Sequence, residues 1–506
     1  MITRMQISGF KNLMDVDVHF GPFTCIAGIN GVGKSNLFDA IRFLGDLMHM
    51  PLVEAAKSVR SEGQKNSDIR DLFHKVGDEY ELKMRFVIDM IIPEHGSDDL
   101  GQIATARITT VRYELILSYR QSDIFHPQGL LEITKEELHP IPLVEARKVM
   151  RFAPAYNLSA QDQRILRKKE LEWQNSVIKG RRTVPFISTT EGEERIINFH
   201  QDSGGQPVKI RASTLPKTVL STANALENPT ASLVKKEMRS WQMLQLEPSA
   251  LRKSDEFYTI PNARLGADGS HLPATLYRLK LEEQQSQADG DVYQRLANKL
   301  SGLVDNVASI TVEKDDKREM LTLMLKSRDG TVFPARSLSD GTLRFLGLSV
   351  LELDYKSGGV ICLEEPENGI HPEKIKQILD LLQEICTDIR YPVGDDNPLR
   401  QVIINSHSPS VVQLVPEDSL LMAQSKRNRN SKGDFYDQVV YSPLRNTWRT
   451  RIEGTERNSA SLDKLIAYLT ASPRQYESDH LLSDIVRSRR VIEREDVKQL
   501  QIDFGS

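Results

Sequence analysis

The chain has 506 residues, with 66 basic and 70 acidic side chains, a net charge of −4 and 39% hydrophobic content. At roughly 150 residues per domain this length holds two to four parts and more than one buried core. No apolar run reaches the ~18–20 residues of a membrane-spanning helix, Met1-Ile2-Thr3-Arg4 does not open a secretory leader, and three scattered cysteines (Cys25, Cys362 and Cys386) make neither a disulfide framework nor a zinc site. The expectation is a cytoplasmic, reducing setting with no membrane partner. Nucleic acid stays open as a partner, because a local patch is able to be basic when the whole chain is not.

In chain order, Met1–Gly9 and Asp15–Phe20 alternate with period two and are predicted as half-buried strands. Phe23–Ala27 is a short apolar run stopping at glycine, the pattern of a buried strand. From Ser35 onward Leu37, Ile41, Leu44 and Leu47 recur at helical spacing and give one apolar stripe. Tyr80–Met90 and Arg107–Ser118 return to strand character, so residues 1–140 read as a first lobe.

Residues 141–305 change texture and are predicted as a mainly helical insertion, with helices at Asp162–Ile178, Ala231–Leu244 and Asp291–Val304. Sustained heptads are missing, which argues against long coiled-coil arms. Residues 306–424 read as a second lobe: strands at Val307–Glu313 and Glu319–Lys326, a tight turn at Asp329-Gly330, a strand at Gly359–Leu363, a helix at Glu373–Ile385 and a strand at Gln401–Asn405. Alternating strand and helix indicates an α/β fold with a parallel core. Residues 425–506 are polar and read as an appendage, with Asp463–Leu469 and Leu481–Ile492 as short helices that offer a docking segment.

Gly28-Ile29-Asn30-Gly31-Val32-Gly33-Lys34-Ser35 satisfies the phosphate-loop pattern between a predicted strand and an amphipathic helix. Its glycines let successive backbone N–H groups converge on phosphate oxygens, and the helix presents its positive end to the same anion. Lys34 would reach the β- and γ-phosphates, and the Ser35 hydroxyl would hold Mg²⁺. Later in the chain, strand Val360–Leu363 ends in Glu364-Glu365, a place for one metal-holding carboxylate and one that polarises water. Ser339, Asp340 and Gly341 open a helix that is a second anion-binding start. His407, just past the strand Gln401–Asn405, stands where it would touch a γ-phosphate or the attacking water.

Taken in this order and spacing, the motifs resemble the ATP-binding cassette class of ATPases. The resemblance narrows to the soluble branch with RecF, structural-maintenance-of-chromosomes (SMC) heads and OLD proteins. It rests on Leu338-Ser339-Asp340-Gly341-Thr342-Leu343-Arg344, Glu364-Glu365-Pro366-Glu367-Asn368-Gly369-Ile370-His371-Pro372 and Asn405-Ser406-His407-Ser408-Pro409, with Ile7-Ser8-Gly9-Phe10-Lys11-Asn12 at the start. It implies a two-lobed α/β head using ATP and Mg²⁺, with ATP contacted by Lys11, Asn12, Gly28, Asn30, Gly31, Val32, Gly33, Lys34, Ser35 and Asn36. It also implies Glu365 as general base, Glu364 and Ser35 as magnesium ligands and His407 as γ-phosphate sensor. Ser339, Asp340 and Gly341 would meet the ATP of a second copy, making a homodimer or higher homo-oligomer through ATP-bound heads.

Two features depart from the family pattern. Glutamate stands at 364 where aspartate is usual, and the family's glutamine loop is not placed, since none of Gln102, Gln121 and Gln128 stands out. Resemblance to ATPase subunits of anti-phage systems such as the Septu and PARIS types implies a switch controlling a separately encoded effector, a nuclease or toxin. Two other functions compete. One is a DNA-repair or DNA-tethering ATPase, with Arg164, Arg167, Lys168, Lys169, Lys179, Arg181 and Arg182 around Trp173 as the nucleic-acid contact. The other is an OLD-type nuclease in one chain, for which Glu417-Asp418 and the basic stretch Lys426, Arg427, Arg429 and Lys432 supply no convincing metal-ligand set.

Overall fold

The computed structural model describes residues 1–59, 68–121, 129–152, 159–286, 290–302, 307–430, 432–452, 459–460 and 490–491. The chain opens with β1 (Ile2–Ser8), β2 (Val16–His19) and β3 (Phe23–Ala27), and α1 (Lys34–Asp46) follows a glycine-rich turn. Next come β4 (Lys83–Ile91), β5 (Thr110–Arg120), β6 (Leu130–Pro140) and α2 (Ala160–Val177). Three short strands, β7 (Ile187–Thr190), β8 (Ile196–Phe199) and β9 (Val208–Arg211), complete an eight-stranded antiparallel sheet ordered β9-β8-β7-β6-β5-β4-β1-β2.

A second sheet carries the site. After α3 (Pro229–Arg239) come β10 (Gln242–Leu244) and a smaller sheet pairing β11 (Val307–Asp315) with β12 (Met320–Ser327). Then follow α4 (Asp340–Leu353), β13 (Gly359–Glu364), α5 (Ile375–Ile385), β14 (Arg400–Ser406), β15 (Leu420–Arg429) and β16 (Phe435–Pro443). The six-stranded order is β10-β13-β14-β3-β15-β16, parallel throughout except for the closing β15–β16 hairpin. The α/β class with a parallel core is therefore present.

Period-two alternation explains how this sheet is held. Side chains alternate between faces, so Ile26, Val360, Cys362 and Ile403 enter the core shared with α1 and the large sheet. Cys25, Ile361, Leu363, Val402 and Ile404 enter the opposite core with α4 and α5. Burial on both faces is what makes these strands continuous apolar runs. On α1, Leu37, Ile41 and Leu44 are all buried, as the helical stripe required. Among the described residues no helix is long and apolar enough to cross a membrane.

Two local differences from expectation have clear causes. The helix expected over Ala231–Leu244 stops at Arg239, and Gln242–Leu244 becomes a strand because it fills the slot beside β13, pairing Gln242 with Ile361 and Leu244 with Leu363. Between 141 and 305 helices alternate with strands, β7–β9 extending the large sheet and β10 the core sheet. The helices expected at Asp463–Leu469 and Leu481–Ile492 lie outside the described residues. Residues 425–429 and 435–443 belong to the two hairpin strands of the core sheet.

One buried carboxylate ties β6 to the segment that follows β9. Glu136 is fully buried and accepts from the N–H groups of Val219 and Leu220, both at 2.8 Å, and from the Tyr113 hydroxyl at 3.1 Å. Burial pushes its carboxyl up to about 7 from an ordinary 4.5. The folded chain then holds this proton more tightly than the unfolded chain, so its contribution is complete below 4.5 and declines as pH rises towards 7. Denaturant melts at stepped pH are expected to show wild type losing stability across this window relative to Glu136→Gln; parallel curves would exclude the effect.

Candidate functional site

The glycine-rich turn starts where β3 ends between two parallel neighbours, with Ala27 in register with Ser406 on one side and Met422 on the other. Crowding explains Gly28: a Cβ there would sit 2.6 Å from the Ala423 carbonyl oxygen. Gly33, the residue before α1, has φ 101° and packs so tightly that a Cβ would lie 2.1 Å from Asn12 Nδ2. Asn12 donates to the Val32 carbonyl at 3.2 Å and accepts from Asn36 Nδ2 at 2.7 Å, so the opening segment braces the loop from outside. Lys11 reaches α1 instead, its Nζ 2.8 Å from Asp39 Oδ2. Asn30 and Gly31 are exposed at the crest, while Val32 is buried beneath it.

Lys34 is folded back under the loop. Its Nζ donates to the carbonyl oxygens of Gly28 at 2.6 Å and Ile29 at 3.0 Å. Burial lowers its pKa from the ordinary value, and the opposing pull comes from three carboxylates across the cleft, Glu365, Glu367 and Glu364. The ammonium thus faces a concentrated negative charge and is held by the same carbonyls that curl the loop.

Opposite, β13 ends at the exposed Glu364. Glu365 adopts a left-handed backbone, φ 47°, a conformation that costs a non-glycine residue energy unless its surroundings hold it. Its N–H is captured twice by Asn405, by the backbone carbonyl at 3.0 Å and the side-chain Oδ1 at 3.1 Å. The carboxylate is captured as well: Oε1 lies 2.6 Å from His407 Nδ1, and Oε2 accepts from Asn368 Nδ2 at 2.7 Å. Glu367 lies deeper, accepts from the Ser406 hydroxyl and leaves its buried Oε2 without a partner. Burial raises its pKa above the usual carboxylate range.

These elements enclose a cleft of about 840 Å³ lined by Ser35, Asp39, Arg42, Gln245, Glu364 and Glu365 among others. Gln245 follows directly on β10, on the strand next to the acidic one. The sequence pattern hides it, because the stretch just before it, Ala231–Leu244, reads as a helix and not as a strand ending at the cleft. Of the glutamines weighed before, Gln102 closes a turn on Asp98, Gln121 follows the end of β5, and Gln128 lies outside the described residues.

Ser339, Asp340 and Gly341 are not among the residues lining this cleft. The Ser339 hydroxyl caps α4 by accepting from the Thr342 N–H at 3.3 Å, and Asp340 pairs with Arg252 at 2.5 Å. Gly341 abuts the loop after Glu367, where a Cβ would meet the Gly369 carbonyl at 2.9 Å. Arg344, one turn on, does line the cleft and donates to the Asn368 carbonyl.

Of the other sequence candidates, Arg164, Arg167, Lys168 and Arg181 are exposed, whereas Trp173 and Arg182 are engaged within the fold. Trp173 is fully buried against Phe152, with ring centroids 5.8 Å apart, and offers no face to a base. Arg182 donates to the carbonyls of Val184 and Asp202, and Lys168 is paired with Glu172. Glu417 and Asp418 are buried, and Asp418, pushed up to about 6 by burial, accepts from the Trp448 N–H. Among the described residues no group of three His, Cys, Asp or Glu side chains is arranged to hold a metal.

Sheet, loop and acidic strand end together define an α/β protein of the AAA-domain class. Residues 23–413 match the family described as "AAA domain, putative AbiEii toxin, Type IV TA system", and the chain belongs to that family. Among curated proteins no sequence relative is found. Among solved structures the chain is similar to an Smc head bound to the C-winged helix domain of ScpA, with 13% identity over 88% of this chain and 98% of that one, TM-score 0.44. It is also similar to the Pyrococcus furiosus Smc head with an extended coiled coil bound to the C-terminal domain of ScpA (12%, 87% and 96%, TM-score 0.40). A third likeness is the Thermotoga maritima SMC head domain (12%, 88% and 98%, TM-score 0.35). These likenesses are distant.

The packing around the loop makes a differential prediction. Gly33→Ala and Gly31→Ala both meet a left-handed backbone, which costs an L residue about 1–2 kcal/mol. Only Gly33 adds a collision with Asn12, whereas nothing lies within 4 Å of a Cβ at Gly31. Thermal denaturation is expected to show the larger loss for Gly33→Ala; equal losses would deny that Asn12 braces the loop.

Proposed function

We propose that the protein is an ATP-binding and hydrolysing switch that dimerises head-to-head around ATP and controls a separately encoded effector, a nuclease or toxin, in anti-phage defence. The observation that carries the ATPase part is the Lys34–Ser35 loop facing Glu364 and a Glu365 carboxylate fixed between His407 and Asn368. The family description, a putative toxin of a type IV toxin–antitoxin system, supports a defence setting.

The donor set fits magnesium triphosphate. Mg²⁺ is commonly held by one or two protein oxygens with phosphates and water completing its shell, so Ser35 and Glu364 suffice without a protein cage. When bound, the ion would neutralise charge on the β- and γ-phosphates. Lys34 exchanges its carbonyl partners for phosphate oxygens, since an ammonium presents three donors. Glu365 takes the proton of the attacking water, and its two side-chain partners keep the carboxylate aimed. His407 would report on the γ-phosphate end, and Gln245 lines the same cleft. Glutamate rather than aspartate at 364 changes the reach to the metal and suits slow turnover, the behaviour of a switch. Ser339 and Gly341 sit away from their own chain's cleft, which supports their use by the ATP of a second copy. This reading is preferred to a DNA clamp because Trp173 and Arg182 of the basic helix region are committed to the fold.

Lys34→Ala is expected to abolish ATP binding measured with a fluorescent analogue. Glu365→Gln should keep binding, lower turnover by ~10²–10⁴-fold as loss of a general base does, and run as a dimer with ATP in light scattering. Wild-type turnover in Glu365→Gln would sink the assignment of the base, and a monomer at saturating ATP would sink the dimer. A mass measurement of the protein purified with ATP from its host tests for the effector.

A further inference from the structure

The basic stretch after Ala423 has a geometry that the ATPase reading does not use. β15 and β16 pair from Leu421 with Pro443 to Arg429 with Phe435, so the hairpin runs beyond the phosphate loop, which it passes at Ala423 beside Gly28. Alternation places Arg427 and Arg429 on one face of β15, with Asp437 and Phe435 opposite them on β16. Both guanidinium carbons lie 5.3 Å from the centre of the Phe435 ring, and that ring is 62% exposed. Among the described residues Lys426, Arg427 and Arg429 enter no ion pair, whereas the neighbouring Lys432 is paired with Glu79 at 2.6 Å. Arg429 is steadied by its Nε donating to the Gly433 carbonyl at 2.7 Å. The outer part of β15 therefore keeps the two charges of Arg427 and Arg429 on the face that carries the exposed Phe435 ring, with Lys426 on the other face.

We propose that this hairpin face binds single-stranded nucleic acid, with Arg427 and Arg429 on successive phosphates and Phe435 stacking on an unpaired base. Residues two apart on a strand are about 6.8 Å apart, a spacing that matches the phosphate repeat of an extended single strand. A ring flanked by planar cations is sequence-tolerant, because every base has a π-face. An acidic protein segment would use the charges but would leave the exposed ring without a role. Asp437 stands opposite Arg427 and biases the strand towards the outer end of the hairpin, where Arg429 and Phe435 face each other. The inference concerns binding alone and does not depend on hydrolysis, so its test is run without nucleotide.

The test is fluorescence anisotropy of the full chain with labelled oligothymidine, oligouridine and a mixed-sequence duplex across a salt series. Wild type is expected to bind a single strand at low salt and to prefer it to the duplex. The oligothymidine and oligouridine arms then tell DNA from RNA. Arg427→Gln with Arg429→Gln should weaken binding at least tenfold and lower the log–log salt slope by about 1.4, twice the ~0.7 per phosphate of single strands. Phe435→Ala should weaken binding with the slope unchanged. Arg164→Glu with Arg167→Glu, on α2, should bind as wild type does. Melting temperatures matched to wild type establish that each variant is folded; should the double arginine variant fail this check, Phe435→Ala carries the decision. No binding of any oligonucleotide at low salt, equal affinity for the duplex, or hairpin variants that bind like wild type would each overturn the proposal.

Discussion

The site depends on one constraint, the register of parallel strands in the core sheet. Glu364 pairs with Asn405 and Ser406 with Ala27, so three chain segments far apart in sequence leave the sheet at the same level. Loops at the carboxyl ends of parallel strands converge because the strands run in one direction. The glycine-rich turn, the acidic end and the histidine therefore become neighbours with no device of their own. A one-residue slip of β13 would invert its alternation, sending Cys362 into the wrong core and Glu364 towards the interior.

Electrostatics then tighten what register begins. Three carboxylates gathered near one ammonium would repel each other if all were charged and fixed. Burial raises the pKa of Glu367 above the usual carboxylate range, while the Ser406 hydroxyl that donates to it pulls the other way. Ser406 in turn accepts from the Ser408 N–H at 3.0 Å, and its carbonyl accepts from the Gly28 N–H at 3.3 Å. The loop after β14 is thereby tied to the phosphate loop on one side and to the acidic loop on the other.

What was legible in the sequence follows from local physics. The turn Gly28–Ser35, the apolar strands Phe23–Ala27 and Gly359–Leu363, and the stripe on α1 announce themselves because each is a short-range pattern with strong residue preferences. β6 escaped notice because the bulge between Ile133 and Lys135 breaks its alternation and charged residues crowd the run. β10 and hence Gln245 were hidden because three residues show no period, and only the slot beside β13 decides their conformation. Trp173 looked available beside basic residues, yet a helix has an inside, and position 173 is on it. Side-chain pairings such as Glu365 with His407, 42 residues apart, are properties of the sheet and leave no local mark.

The start of α4 and the acidic loop behave as one unit. Arg344 bridges them by donating to the Asn368 and Leu246 carbonyls, and Gly341 lets the Gly369 carbonyl approach its backbone closely. Asn368 meanwhile holds the Glu365 carboxylate. The exposed Ser339 end of α4 is thus linked through Arg344 and Asn368 to the Glu365 carboxylate, without passing through the glycine-rich loop. The left-handed backbone of Glu365 is held by Asn405 at its N–H and by the Asn368 N–H at its carbonyl, so the acidic loop fixes the backbone and the carboxylate of this residue together.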